Sequence, residues 1–431
     1  MEYSSVLDKI HSLNKFGSRP GLDRINMLLE KMGNPQKSLK FLHVAGTNGK
    51  GSVCAVTSSV LRASGYKTGL FISPFITDFC ERIQINNKPI DRENLCVIAE
   101  YVFCLVEELN KEDIIITEFE FVTAVAFEYF KRQACDIVVL EVGLGGRLDS
   151  TNTIDSSECV ALTRIGLDHT DILGDTVRKI AKEKCGIIKA GSSVVSSPQP
   201  NEAKAVIEET CRIFGNSCVF SDSLEISVVS QSIDGTTFVY KDKEITLSLL
   251  GEHQVENLKT ALCALEELSN TGFERITAQS IKEGVESAVN PARFEVICKS
   301  PYVIIDGAHN PDGMSTFASA VKKFFSDRKG ILVIGMLRDK DSVSSLEYIK
   351  ELFEEVYTVP ISNPRAMKSG EMAELAKNYF SDVTSCESVE EAFSQAHLKA
   401  KEKGTFMCVC GSLYLAGEIR PYALECIKNT D

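Results

Sequence analysis

The chain has 431 residues, more than one ordinary hydrophobic core holds, so two domains are expected. Its 44% hydrophobic and 25% charged residues give a globular composition, and a net charge of -13 excludes the broad basic surface that nucleic-acid binding needs. An anionic small substrate stays admissible, because a local pocket on an acidic protein can be basic.

The 15 cysteines, among them Cys54, Cys135, Cys159 and Cys263, sit in apolar segments and form no C-x-x-C pair. Cys408 and Cys410 make only a C-x-C inside FMCVCG. They read as small buried hydrophobes of a reducing cytosol. The opening MEYSSVLDKIHSLNKF has no basic-then-apolar signal pattern, and no apolar run approaches the ~20 residues of a membrane span. A cytoplasmic protein with no membrane partner is expected.

In chain order, short apolar runs at 40–45, 136–142, 159–163 and 193–197 alternate with helix-length amphipathic segments, which predicts an α/β fold with a mainly parallel sheet. Residues 224–250 read as three β segments turning at Asp234-Gly235 and Lys241-Asp242-Lys243, a small antiparallel addition to the first domain. A second α/β series begins near Phe294, with strands at 302–305, 330–334, 356–359 and 406–410. Asn290-Pro291-Ala292 is the expected hinge, since proline disfavours helix at the residue before it. The expected division is therefore an N-terminal P-loop-type domain, 1–292, and a Rossmann-like C-terminal domain, 293–431.

The sharpest local feature is KFLHVAGTNGKGS, residues 40–52. A strand ends at Ala45, and a glycine-rich loop follows. Ser52 is expected to open the next helix. Gly46, Gly49 and Gly51 permit positive φ, so that backbone amides turn inward around phosphate. The helix N-terminus and Lys50 add positive charge, and Ser52 offers a hydroxyl to Mg²⁺ or phosphate. The spacing departs from G-x-x-x-x-G-K-[ST], because Gly51 separates Lys50 from Ser52. By itself the loop specifies nucleotide triphosphate binding and not the reaction.

Three further strand ends follow: Glu141 leading into GLGGRLDSTN, then LDHTD with His169, then EKCGIIK with Lys184. In a parallel sheet these ends share one edge, so Glu141 and His169 are expected beside the phosphate loop. A carboxylate, a hydroxyl and phosphate oxygens make an ordinary Mg²⁺ shell, whereas histidine is an unusual Mg²⁺ ligand. A salt bridge from Glu141 to Arg147 is the alternative use of that carboxylate. In the second domain, Asp306 of DGAHNP is placed to accept ribose hydroxyls and His309 to face the phosphates. His253 and Asn257 share one helix face.

These segments together resemble the folylpolyglutamate synthase/dihydrofolate synthase family of Mur-type amide ligases. The matching stretches are HVAGTNGKGSV, FISPF…ERI, FEFVTAVAF, LEVGLGGRLDSTN, LDHTDILG, KEKCGIIK, GEHQVENLKTAL, ARFEV, DGAHNP and GMLRDKD, running from about residue 20 to 415. The resemblance implies an ATP site formed by Thr47, Asn48, Gly49, Lys50, Gly51, Ser52, Asn257, Arg293 and Asp306. His309 would lie near the γ-phosphate. It implies two Mg²⁺ sites, the first with Ser73 and Glu141, the second with Glu141 and His169. Lys184 falls where the family carries a carbamylated lysine that helps to hold the second metal. Lys50, His169, Lys184 and His309 are thereby the candidate catalytic residues.

Phe75, Arg82 and Asp149 are implied as the substrate loop. Phe75 replaces a histidine common in relatives, and Cys80 lies in the loop expected against the pterin. The implied reaction joins L-glutamate, with ATP, to dihydropteroate or to reduced folates, by a monomer. The motifs leave open whether the chain adds the first glutamate, extends the tail, or does both. A ligase for a peptidoglycan precursor and a nucleotide-binding regulator without turnover are the competing readings. GLGGRLD and SPF…ERI oppose the former, and Lys50, Glu141, His169 and Lys184 oppose the latter.

Overall fold

The computed structural model describes residues 2–13 and 20–428. Its first sheet has eight strands: β1 (Phe41–Ala45), β2 (Thr68–Phe71), β3 (Ile83–Ile85), β4 (Lys88–Pro89), β5 (Ile137–Glu141), β6 (Cys159–Leu162), β7 (Ser193–Ser196) and β8 (Cys218–Phe220). Their order is β4-β3-β2-β5-β1-β6-β7-β8, parallel from β2 to β8, with β3 and β4 an antiparallel margin. β1 and β5 are buried along their whole length, which is why both read as continuous apolar runs. Successive side chains of β1 serve opposite faces. Phe41 joins the core under helices Arg92–Asn110 and Glu118–Arg132, while Leu42 and Val44 join the core under Lys50–Ala63 and Glu252–Asn270.

Residues 227–247 form the antiparallel addition: β9 (Ser227–Ser232), β10 (Gly235–Tyr240) and β11 (Lys243–Leu247). Lys241 and Asp242 both have positive φ, 47° and 59°, the requirement of a two-residue hairpin whose twist matches its strands. Phe238, Tyr240, Ile245 and Leu247 pack into the same core as helix Glu252–Asn270.

The second sheet contains β12 (Glu295–Lys299), β13 (Tyr302–Ile305), β14 (Gly330–Ile334), β15 (Phe353–Thr358), β16 (Asp382–Ser385) and β17 (Met407–Cys410). Its order is β12-β13-β17-β14-β15-β16, parallel except for the marginal β12. β12 and β16 are half-buried or exposed edges with weak apolar patterning, and the sequence reading omits both. β15 begins three residues earlier than expected because Glu354 and Glu355 belong to the strand; both bond to Lys403.

Between the sheets, Ala292 and Phe294 adopt left-handed φ of 55° and 47° on either side of Arg293. All fifteen cysteines are free thiols. Among the described residues, no helix is long and apolar enough to cross a membrane.

Candidate active site

The loop after β1 delivers a glycine turn onto the N-terminus of helix Lys50–Ala63. The helix starts at Lys50, two residues before Ser52. Gly49 is its N-cap at φ 95°, and a Cβ there would strike Asn257 Oδ1 at 2.2 Å. Gly46, at φ 155°, is likewise closed to a side chain by Thr163 Oγ1 at 1.8 Å. Gly51 is helical, against expectation, and the space at its Cα is ordinary, so the turn requires the first two glycines and not the third.

The amides divide in a way the motif did not reveal. Thr47 N and Asn48 N both donate to Arg164 O, at 2.9 and 3.3 Å, and Thr47 Oγ1 pairs with Gly166, which ties the loop to the end of β6. The first intrahelical bond is Val53 N to Gly49 O, so the amides of Lys50, Gly51 and Ser52 form the open, positive end of the helix. The free amides of this helix end are therefore those of residues 50–52, while the amides of Thr47 and Asn48 brace the loop.

Two ammonium groups meet at one carbonyl. Lys50 Nζ donates to Gly46 O at 3.2 Å, and Lys184 Nζ, from helix Val177–Cys185, donates to the same oxygen at 2.9 Å. Lys184 is 5% exposed. Burial, and then the charge of Lys50, bring its pKa down to about 7, while Asp168 and Asp149 oppose the shift. At the end of β5, Glu141 is also buried, and burial raises its pKa against the pull of Lys50, the Ser73 amide and Arg293. Its Oε2 accepts from Ser73 N at 3.2 Å. The alternative salt bridge is not made: Arg147 pairs with Glu183 at 2.9 Å.

Among the described residues, no three His, Cys, Asp or Glu side chains gather as a ready-made metal cluster. A nucleotide-bound Mg²⁺ does not need one, because it keeps waters and phosphate oxygens and takes one or two protein oxygens. The buried Glu141 carboxylate, without an ion pair among the described residues, fits that demand, and Ser52, in the first turn of the helix after β1, and Ser73, just after β2, carry hydroxyls. His169 follows Asp168, whose charge is felt by Lys184 and His309. It is a half-exposed, left-handed N-cap of Thr170–Leu173, and its ring lies 3.9 Å from Asp168.

A cavity of about 470 Å³ opens beside Glu141, walled by Ser73, Arg82, Glu118, Phe119, residues 143–150 and Leu173. Arg82 is held 3.7 Å from Glu118, which also receives His11 at 3.2 Å. Phe75 is not on the cavity wall. It stands behind, with Arg82 packed over its ring at 5.4 Å and Phe79 against its edge. Cys80 also faces away, toward the Tyr3 hydroxyl at 3.5 Å. Asp149 is on the wall but is 6% exposed and bonded within its own loop.

The second sheet presents the ends of β13, β17 and β14 to the same region. Asp306 accepts from Phe294 N and Ala308 N, at 2.7 Å each, so its carboxylate locks the linker to the turn. Burial raises its pKa and Arg293 opposes this. His309 Nδ1 lies 2.8 Å from Gly307 O, which makes Nδ1 the donor and turns Nε2 outward as an acceptor. Burial lowers its pKa, helped by Lys340 and Arg293. The charge of Arg293 is felt by Glu141, His253, Asp306 and His309 alike, which puts its guanidinium at the junction of the two units. Asn257 is buried, bonded to Gln254 at 3.1 Å and packed on Gly49.

Several contributors escaped the sequence reading. Asn290 Nδ2 donates to Ser52 Oγ at 3.1 Å across 238 residues, so the hinge touches the phosphate loop directly. Glu295 receives Ala292 N at 3.0 Å and a two-pronged Arg420 at 2.7–3.1 Å, which anchors the linker that carries Arg293. The proline after Asn290 and the ARFEV stretch marked this segment without showing either contact.

Comparison with known proteins matches residues 44–265 to the Mur ligase middle domain and residues 292–413 to the Mur ligase glutamate ligase domain. The chain is 35% identical to a folylpolyglutamate synthase of Lacticaseibacillus casei, covering 97% of this chain and 98% of that one. It is 34% identical to the dihydrofolate synthase/folylpolyglutamate synthase of Bacillus subtilis, over 97% and 98%. Among solved structures it resembles a Thermotoga maritima folylpolyglutamate synthase (TM-score 0.87, 33% identity, 97% of each chain). It also resembles Escherichia coli FolC in complex with DHPP and ADP (TM-score 0.83, 29% identity, 100% and 99%).

Proposed function

Because the chain belongs to the folylpolyglutamate synthase/dihydrofolate synthase family of Mur ligases, we propose that it uses ATP to join L-glutamate to dihydropteroate and to (poly)glutamylated tetrahydrofolate, as a bifunctional enzyme. The observation that carries this reading is the approach of Lys50 and Lys184 to one carbonyl after β1, with Glu141 at the end of β5 feeling the charge of Lys50 and bonded to Ser73, which lines the 470 Å³ cavity. Cationic groups beside a buried carboxylate suit phosphate, and the cavity is large enough for a heterocyclic acid.

A carboxylate resists attack by an amine and must be activated. The acceptor carboxylate attacks the γ-phosphate of ATP, giving an acyl phosphate and ADP. The glutamate amine then adds to the carbonyl, and the tetrahedral intermediate expels phosphate. In this scheme the amides of residues 50–52 and the Lys50 ammonium hold the phosphates and neutralise charge that develops in transfer. Arg293, reaching in from the linker, adds a second cation, and Asp306 fixes the linker that carries it. His309 offers Nε2 toward the phosphates. Closure of the two units around the acyl phosphate excludes water. Ser73, Ser52 and Glu141 would hold Mg²⁺, which when bound screens the charge of the transferring phosphate.

Lys184 is part of the same reading. With a pKa near 7 it has a substantial neutral fraction, the form that reacts with carbon dioxide to give a carbamate. A carbamate there would relieve the clash of two cations at Gly46 O and supply an anionic ligand for a second Mg²⁺, with His169 as its outer partner. The reading also takes residues 1–292 and 293–431 as the two domains, the enzyme as a monomer whose site groups come from one chain, and its location as the cytoplasm.

The test is to supply dihydropteroate and tetrahydrofolate separately, with ATP and L-glutamate, and to weigh the products. Each is expected to gain glutamate. A gain with tetrahydrofolate alone would reduce the enzyme to tail extension. ADP release without any acceptor, or none with either, would overturn the ligase reading.

A further inference from the structure

β1 carries one residue that packing does not call for. His43 has no exposed surface and lies between Leu42 and Val44. Its Nε2 is 2.9 Å from Thr151 Oγ1, and its Nδ1 is buried without a hydrogen-bond partner. Burial, with Lys189 adding to it, brings the ring pKa down to about 3, so the imidazole is neutral. A leucine or valine would fill a buried strand position without leaving a polar atom orphaned. The imidazole must therefore be there for the bond that it does make.

Thr151 sets the direction of that bond. Its hydroxyl donates to Asp149 Oδ1 at 2.6 Å, so it accepts from His43 Nε2–H, and the bare nitrogen is the orphaned Nδ1. Asp149 Oδ1 also receives Thr151 N at 3.0 Å, and Oδ2 receives Leu144 N at 2.8 Å. Every bond in this chain fixes one rotamer of a carboxylate that lies on the cavity wall. Without the imidazole the threonine hydroxyl loses the donor that fixes it from behind, and its bond to Asp149 is no longer held in one direction.

We propose that His43 is a positioning residue for the acceptor substrate: through Thr151 it holds Asp149 so that the lone pair left on Oδ2 meets an N–H donor of a heterocycle in the cavity. This rests on the cavity being the acceptor site, as in the reading above.

The test uses the full-length enzyme and steady-state kinetics with dihydropteroate or tetrahydrofolate, measuring KM for the acceptor and for ATP. His43→Leu is expected to raise the acceptor KM about tenfold, the size of one hydrogen bond, and to leave the ATP KM within about twofold. His43→Gln keeps an N–H donor and is expected to recover most of the loss. An unchanged acceptor KM in His43→Leu, an equal rise in both KM values, or a Gln variant no better than Leu would overturn the proposal. Asp149→Asn separates the two levels. If it leaves the acceptor KM unchanged, the cavity assignment itself fails; if it raises that KM while His43→Leu does not, the relay alone fails. Should His43→Leu not fold, Thr151→Val against Thr151→Ser asks the same question, with only Val expected to raise the acceptor KM; equal values for the two would overturn the relay.

Discussion

At the end of β1, two ammonium groups converge on one backbone carbonyl, and a buried carboxylate nearby has no ion pair among the described residues. At the end of β13 the charges are engaged: Asp306 closes on two amides at 2.7 Å each, and Glu295 holds both Arg420 and the Ala292 amide. Like charges crowded together without counter-ions are costly, and they are retained where a ligand of opposite charge completes them. Saturated pairs, in contrast, make a rigid mount. On the proposed reading the first sheet carries the groups that meet phosphate, and the second holds Arg293 steady in a linker with left-handed Ala292 and Phe294.

The largest effect that would break this contrast is at Lys50. Lys50→Ala is expected to lower kcat/KM for ATP about 10²–10³-fold, read by ADP release, as loss of one preorganised charge-stabilising group does. Retention of near-normal turnover would move the phosphate site elsewhere. Lys184→Met should lower turnover by a smaller factor than Lys50→Ala yet stabilise the fold. The folded pKa of about 7 lies below the ordinary 10.5, so the unfolded chain holds that proton more tightly. The penalty is full below about pH 7 and vanishes as pH rises to about 10.5. In CO₂-depleted buffer the gain in Tm over the parent should therefore be largest below pH 7 and shrink with rising pH. A gain independent of pH would contradict a buried charged lysine.

Glu295→Gln is expected to cost about 2–3 kcal/mol in urea unfolding, less than a fully buried pair would, and to raise the ATP KM several-fold as Arg293 loses its mount. Unchanged KM with lowered stability would leave the clamp purely structural. Arg147→Ala should do least. Its bridge to Glu183 is half-exposed, so a stability change under about 1 kcal/mol is expected. A larger loss would mean that the bridge is more protected than its exposure implies.

Much of this arrangement was legible in the sequence. β1, β5, β13 and β14 are continuous apolar runs, and the rule that parallel strand ends share an edge places Glu141 and His169 on the side of the phosphate loop, whereas Lys184 reaches it from helix Val177–Cys185. The rest depends on tertiary detail. Asn290 and Ser52 are 238 residues apart, and neither has a periodicity that announces the other. Phe75 belongs to the substrate loop by resemblance, and the chain packs it behind Arg82 and against Phe79, an arrangement no local pattern announces. His43 drew no reading from the sequence, because its partner Thr151 is 108 residues away.

The most direct test of carboxylate activation by ATP is isotopic. An acceptor labelled with ¹⁸O in its carboxylate is turned over with ATP and L-glutamate, and the released phosphate is weighed. One ¹⁸O atom per phosphate is expected, because the acyl phosphate oxygen leaves with phosphorus. Phosphate free of label, with glutamate still joined to the acceptor, would contradict the acyl-phosphate route.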